Sequence, residues 1–327
     1  MAALNLENPT PLAIIIGPTA SGKSALGVWL AGRLGGEVVS CDSTQVYRGF
    51  DIGTAKPTSA ERRSVRHHLI DLLEPHEVFT AGDYRRHAVG VLADLKERER
   101  LPVLVAGTGL YLRALLEGLA DAPLRSEELR TRLMTRADRR RPGYLHRLLK
   151  KMDPATAARI APQDSPKLIR AIEVCVLAGK PLTEVHRSGR QRLEGVRTLK
   201  IGLMPERNAL YERIERRTAE MIDRGWRDEV RALVGKGIAA GAKPFSFIGY
   251  KELRANLEGQ LELPKAIAAI QQSTRRYAKR QLTWFRKEKD VRWFEGFGDD
   301  AKIMQAVLQH LQEELGIARK AAAPGIV

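Results

Sequence analysis

The string Gly17-Pro18-Thr19-Ala20-Ser21-Gly22-Lys23-Ser24 fits G-x-x-x-x-G-K-[ST] at every fixed place, a pattern with a physical mechanism. Its glycines let successive backbone N–H groups turn onto phosphate oxygens. Lys23 adds a mobile positive charge, and the Ser24 hydroxyl stands where Mg²⁺ is ligated in such loops. The loop therefore holds a diphosphate or triphosphate, but whether that group is transferred, cleaved or simply leaves is decided elsewhere. In open α/β sheets ligands lie beyond the carboxyl ends of the strands. That rule points to Asp42, Ser43, Thr44 and Gln45 after one apolar run, and to Gly107 and Thr108 after another. The run VLVA (103–106) enters Gly107 with no acidic residue, so the usual Walker B aspartate is missing and a nucleotide-driven motor is disfavoured. Asp42 is left as a metal ligand, a general base, or a helix N-cap with Gln45 at capping-box spacing.

These groups need elements to hold them. Residues 12–16 (LAIII), 37–41 (EVVSC) and 103–106 read as buried strands, and residues 24–34 as the helix that follows the loop. Strands alternating with helices predict an α/β fold, a P-loop-like parallel sheet flanked by helices. From about residue 126 to 179 the strand signal vanishes and helical spacing takes over, broken at Pro142-Gly143, Pro154, Pro162 and Pro166. Strand character returns at 199–204 (LKIGLM). A long helix over 210–234, broken near Gly225, another within 261–288, and a closing strand at 291–294 (VRWF) follow. The expected organisation is a discontinuous core, 1–122 with 201–327, interrupted by an all-helical domain at 123–200. The final ten residues read as a frayed tail.

Charge follows the same division. The 327 residues carry 55 Lys+Arg against 39 Asp+Glu, a net +16. Residues 1–124 hold 13 basic and 14 acidic side chains, residues 125–200 hold 19 and 8, and the remainder 23 and 17. A basic block is either a solvated surface or a grip on a polyanion. The preference for arginine (Arg130, Arg132, Arg136, Arg139, Arg140, Arg141, Arg147) favours phosphate forks. Cys41 and Cys175 are too few for a disulfide framework or zinc site. Adjacent His67 and His68 point to opposite faces of a strand, which favours packing over metal binding. The N-terminus lacks a basic start followed by an apolar stretch, and apolar runs such as 12–16 are far short of a membrane span, which predicts a cytoplasmic protein without membrane contact.

Several strings together resemble one family: GPTASGKS (17–24), DSTQVYRGFDIGTAKP (42–57), HHLID (67–71), GTGLYLRALLEGL (107–119) and KRQLTWFR (279–286). They are similar to the tRNA dimethylallyltransferases, isopentenyltransferases that modify the adenosine immediately 3′ of the anticodon, over residues 10–295 and in the family's order. Ala106 departs from the glycine often found before GTG. With no C-terminal Cys/His cluster, the chain resembles the bacterial members.

The resemblance implies a helical insertion that grips an anticodon stem-loop and a channel where two substrates meet. The implied donor is dimethylallyl diphosphate, whose diphosphate would lie on residues 17–24 with Mg²⁺ at Ser24, and the protein is expected to act as a monomer. The matching positions make Asp42 the base that takes the amine proton, Thr108 a neighbour of the acceptor, and Arg217 a diphosphate ligand. Arg217 read from its helix alone is equally an i,i+4 neighbour of Arg213 on a solvated face. Implied tRNA contacts are Asp42, Ser43, Thr44 and Gln45; Arg130; Asp164, Ser165, Pro166, Lys167 and Leu168; Phe247, Ile248, Gly249 and Tyr250; and Lys279, Arg280 and Gln281. Residues 275–289 carry seven Lys/Arg with Tyr277, Trp284 and Phe285 interleaved, which suits RNA. The same spacing also suits a helix that turns Tyr277, Gln281 and Trp284 to the core. The alternatives in activity are a P-loop kinase and a nucleotide prenyltransferase acting on small molecules.

Overall fold

Apolar residues too continuous to face water form β1 (Thr10–Ile16), buried from Pro11 onward. The computed structural model describes residues 9–187, 189 and 191–317; the segment read as a frayed tail lies outside them. After β1 come α1 (Lys23–Leu34), β2 (Gly36–Cys41), α2 (Ser59–Ser64), β3 (His67–His68), α3 (Ala81–Glu97), β4 (Leu101–Ala106) and α4 (Gly109–Glu117). The helical stretch contains α5 (Glu127–Asp138), α6 (Tyr144–Met152), α7 (Pro154–Ala157), α8 (Ser165–Ala178) and α9 (Leu182–Arg187). The chain then returns through β5 (Val196–Leu203), α10 (Arg207–Asp223), α11 (Trp226–Gly235), α12 (Tyr250–Leu257), α13 (Leu263–Phe285), β6 (Val291–Phe294) and α14 (Ala301–Leu315).

The six strands form one sheet in the order β3-β2-β4-β1-β5-β6, with every pairing parallel. Register matters for the site: Ala106 pairs with Ile16 on one side and with Cys41 on the other. Gly17, Asp42 and Gly107 therefore leave the sheet at one level. Parallel neighbours lie about 4.8 Å apart, so β1 and β2 flank β4 at roughly 10 Å. Fully buried β4, β1 and β5 side chains pack with Leu26 and Leu30 of α1 and with Val307 and Leu311 of α14. Each such leucine contributes about 2 kcal/mol of burial. On a second core, Trp226, Phe245, Tyr250 and Ile270 close over Val46, Tyr47 and Phe50 and fix the segment after Asp42.

The chain divides into two compact units, 1–115 with 194–327, and 116–193. The expected boundary at 200 needs correction, because β5 starts at Val196 and pairs along its first seven residues with β1. Its first three residues, VRT, are only partly buried and include exposed Arg197, which hid them from a search for apolar runs. Unit 116–193 has its own core of Leu133, Leu145, Leu149, Leu168 and Ile172. The expected break near Gly225 is a left-handed residue (φ 89°) between α10 and α11.

Candidate active site

The phosphate loop occupies the turn from β1 to α1. Gly22 caps α1 with φ 85°, and a side chain there would strike the backbone at Gly298. Ala20 holds a left-handed φ of 64°, a conformation that costs an L-residue about 1–2 kcal/mol. The N–H groups of Ala20, Gly22, Lys23 and Ser24 take no acceptor among the described residues, and the buried Ser21 hydroxyl has none either. Donors left open at a helix N-terminus suit an anion. Pro18 O receives the Lys23 ammonium at 2.6 Å. Burial pulls Lys23 down to about 7; Asp42 opposes this shift and Arg217 adds to it. The Ser24 hydroxyl is exposed and makes no hydrogen bond among the described residues. One free hydroxyl beside a diphosphate fits Mg²⁺, which takes oxygen ligands and retains several waters.

Arg217 on α10 is half-buried and makes no ion pair or hydrogen bond among the described residues. Burial, then Arg213, disfavours its charge, while Asp42 lies close enough to favour it. This argues against the solvated-face alternative: Arg213 spends its charge on Asp299, whereas Arg217 makes no ion pair among the described residues and lies near enough to Lys23 and Asp42 for their charges to interact with its own.

Asp42 does not cap a helix, since residues 43–49 form turns and a single bridge. Its Oδ1 accepts from Thr44 N–H (2.8 Å) and the Thr44 hydroxyl (2.7 Å), while Oδ2 makes no hydrogen bond among the described residues. Gly107 is required beside it, because a Cβ there would sit 2.5 Å from Oδ2. Thr108 fastens the same turn, its hydroxyl accepting from Ser43 N–H (3.0 Å) and donating to Ser43 Oγ (3.2 Å). Gln45 reaches the other way and donates to the carbonyls of Thr54 and Ala55. In the GTAKP string, buried Lys56 donates to Tyr47 O (2.5 Å) and pairs with Asp51 and Asp71. His68 bonds buried Glu37 and His67 bonds Val65 O, and among the described residues no group of three or more His, Cys, Asp or Glu gathers to hold a metal.

The remaining residues expected near RNA divide into exposed and buried. Lys279 and Arg280 are exposed, as are Ser165, Pro166 and Lys167, while Asp164 caps α8 by accepting from Lys167 N–H. Phe247 and Ile248 are half-buried against the second core. Leu168 and Tyr250 are fully buried, so their side chains serve packing. Tyr250 donates to Glu229 (2.6 Å), and Gly249 backs onto the Trp226 ring. Arg130 spends its fork on Glu173 (2.8 and 2.9 Å), which also accepts from Arg170 and Ser126 N–H. Although burial opposes it, these partners hold Glu173 down at about 2. By contrast Arg136, Arg139, Arg140 and Arg141 are exposed and have no ion pair among the described residues.

Gln281, expected among the tRNA contacts, and Tyr277 both face inward. Gln281 is buried; its Oε1 accepts from Thr19 N–H (2.7 Å) and its Nε2 donates to Gly107 O (2.7 Å). Tyr277 donates to the same carbonyl (3.2 Å). The core-facing alternative for Tyr277, Gln281 and Trp284 describes α13, whose Lys279 and Arg280 are solvated. The i, i+4, i+7 spacing was the available signal.

A loop of open amide donors with buried Lys23, a carboxylate just after β2, and half-buried Arg217 from α10 define a P-loop transferase rather than a motor. The family model described as IPP transferase matches residues 45–288. The chain is 54% identical to the tRNA dimethylallyltransferase of Koribacter versatilis, over 91% of this chain and 97% of that one. It is 49% identical to the tRNA dimethylallyltransferase of Solibacter usitatus, over 94% and 99%. The crystal structure of the full-length tRNA isopentenylpyrophosphate transferase from Bacillus halodurans superposes with a TM-score of 0.69 at 39% identity, covering 94% of this chain and 97% of that one. The chain belongs to the IPP transferase family. The phosphate loop and Asp42 precede the matched segment.

Proposed function

We propose that this protein transfers a dimethylallyl group from dimethylallyl diphosphate to the exocyclic N6 amine of the adenosine immediately 3′ of the anticodon in tRNA. The observation that carries this reading is that Lys23 and Arg217, neither of them ion-paired among the described residues, lie near enough to Asp42 for its charge to act on both, while Asp42 Oδ2 makes no hydrogen bond among those residues. In the reaction an N–C bond forms at the adenine, the C–O bond to diphosphate breaks, and the amine proton passes to Asp42 Oδ2. The loop N–H groups, Lys23 and Arg217 take up the charge that develops on the departing diphosphate, and Mg²⁺ held at Ser24 neutralises part of it when bound. An adenine amine is a weak nucleophile, so positioning supplies most of the rate and the base about 10²-fold to 10⁴-fold.

The acceptor must leave its stack to reach Asp42, which costs a few kcal/mol. The unit at 116–193, with 17 basic against 9 acidic side chains, offers the exposed arginines that return this cost through backbone contacts on the anticodon stem-loop. No helix among the described residues is long and apolar enough to cross a membrane, and a cytoplasmic site of action fits a tRNA substrate. Incubation with dimethylallyl diphosphate, Mg²⁺ and unmodified tRNA should give N6-dimethylallyladenosine at the one position. Release of γ-phosphate from ATP without such a product would support a kinase instead.

A further inference from the structure

The donor loop and the acceptor turn are far apart in sequence, yet one side chain joins them. Gln281 accepts from Thr19 N–H in the phosphate loop and donates to Gly107 O at the end of β4, both at 2.7 Å. From Gly107 the connection continues without a gap. The N–H groups of Gly107 and Thr108 donate to Cys41 O, and the Thr108 hydroxyl holds Ser43 beside Asp42. Gln281 is 6% exposed, and both ends of its amide are occupied. A buried primary amide of this kind both donates and accepts, which no charged or apolar side chain of that size can do. The Thr19 N–H that Gln281 takes is also withdrawn from the set that faces a phosphate.

We infer that Gln281 is a positioning residue that transmits occupancy of the phosphate loop to the acceptor turn, rather than a contact to RNA. When diphosphate draws the loop N–H groups inward, the Thr19–Gln281–Gly107 bridge tightens the 107–109 segment and, through Thr108, sets Asp42 for the incoming amine. The catalytic consequence rests on the prenyl transfer proposed above, whereas the mechanical linkage does not. Tyr277 steadies the same carbonyl from one helical turn away, so loss of Gln281 leaves Gly107 O with a partner and the fold intact.

The test is amide hydrogen exchange on the full chain, with and without Mg²⁺-pyrophosphate. In the wild type, pyrophosphate should slow exchange both in the loop and at 43–45 and 107–109, by about tenfold at the latter sites. Gln281→Leu should bind pyrophosphate within about threefold of wild type yet confine protection to the loop. Gln281→Glu, which can still accept from Thr19 but cannot donate to Gly107 O, should behave the same way and serves if the leucine variant misfolds. Undiminished protection at 107–109 in both variants would overturn the inference. So would a loss of stem-loop affinity with protection unchanged, the signature of an RNA contact. In the transfer assay both variants should lose about tenfold in kcat at unchanged stem-loop KM. If the wild type transfers no prenyl group, the proposed function fails while the exchange experiment still decides the role of Gln281.

Discussion

The phosphate-loop site of the α/β unit and the interior of the helical unit treat their charges in opposite ways. In the helical unit the buried acids are saturated: Glu173 by Arg130, Arg170 and Ser126 N–H, and Asp153 by the N–H and hydroxyl groups of Thr156 and Thr183. Its unpaired charges, Arg136, Arg139, Arg140 and Arg141, are outside. Around the phosphate loop the reverse holds: among the described residues Lys23 bonds only a carbonyl, Arg217 is unpaired, and one oxygen of Asp42 is open, although elsewhere in the α/β unit buried Lys56 and Glu37 are paired. An unpaired buried charge is expensive unless a ligand completes it, whereas an unpaired exposed arginine costs little and attracts polyanions. The first arrangement calls for a small anion inside, and the second for a large one outside.

Breaking the inside set should have the largest effects. Asp42→Ala should lower the single-turnover rate by about 10²-fold to 10⁴-fold while stem-loop affinity stays within twofold. A rate within threefold of wild type would remove Asp42 as the base. Arg217→Ala should cost about 10²-fold to 10³-fold, with weaker pyrophosphate binding in calorimetry. In the helical unit Glu173→Gln should leave Arg130 and Arg170 without their counter-charge and destabilise that unit by about 3 kcal/mol, seen as an earlier melting step. Glu173 is a carboxyl held below its ordinary 4.5 at about 2. Its stabilising contribution is thus full above pH 4.5 and fades as pH falls toward 2, so the variant and wild type should converge in acid.

A smaller effect concerns Lys23. With the loop empty it titrates at about 7, and a bound anion raises that value, so binding takes up a proton above pH 7. Pyrophosphate affinity should therefore fall as pH rises through about 7, by at most about tenfold per unit. Lys23→Arg, which stays charged, should flatten this part of the profile in calorimetry.

Much of the scaffold is legible in the sequence because it is written in local patterns. β1, β2 and β4 are apolar runs, and the phosphate loop announces itself through glycines between a strand and a helix. β3 is two histidines long, and β5 begins with the mixed, partly buried string VRT, so neither β3 nor that start offers an apolar run to detect. The site was legible as residue types but not as partnerships. Arg130 looked like a free cation because its partner Glu173 lies 43 positions away. The spacing of Gln281 with Tyr277 and Trp284 offers a core-facing position, but not its partner, because Thr19, 262 positions away, is joined to it only by the fold. Leu168 and Tyr250 are among the tRNA contacts that the resemblance implies, yet burial gives their side chains to the core.

The division into an inner anion site and an outer RNA grip is tested most directly by the variant Arg139→Ala/Arg140→Ala/Arg141→Ala. Its affinity for an unmodified anticodon stem-loop would be titrated across salt concentrations, and its affinity for Mg²⁺-pyrophosphate measured in parallel. Removing one arginine–phosphate pairing should shallow the slope of log affinity against log salt by about 0.7 to 0.9, so the triple variant should lose about 2.1 to 2.7 units of slope and keep its pyrophosphate affinity. An unchanged slope, or a matching loss of pyrophosphate binding, would contradict the division.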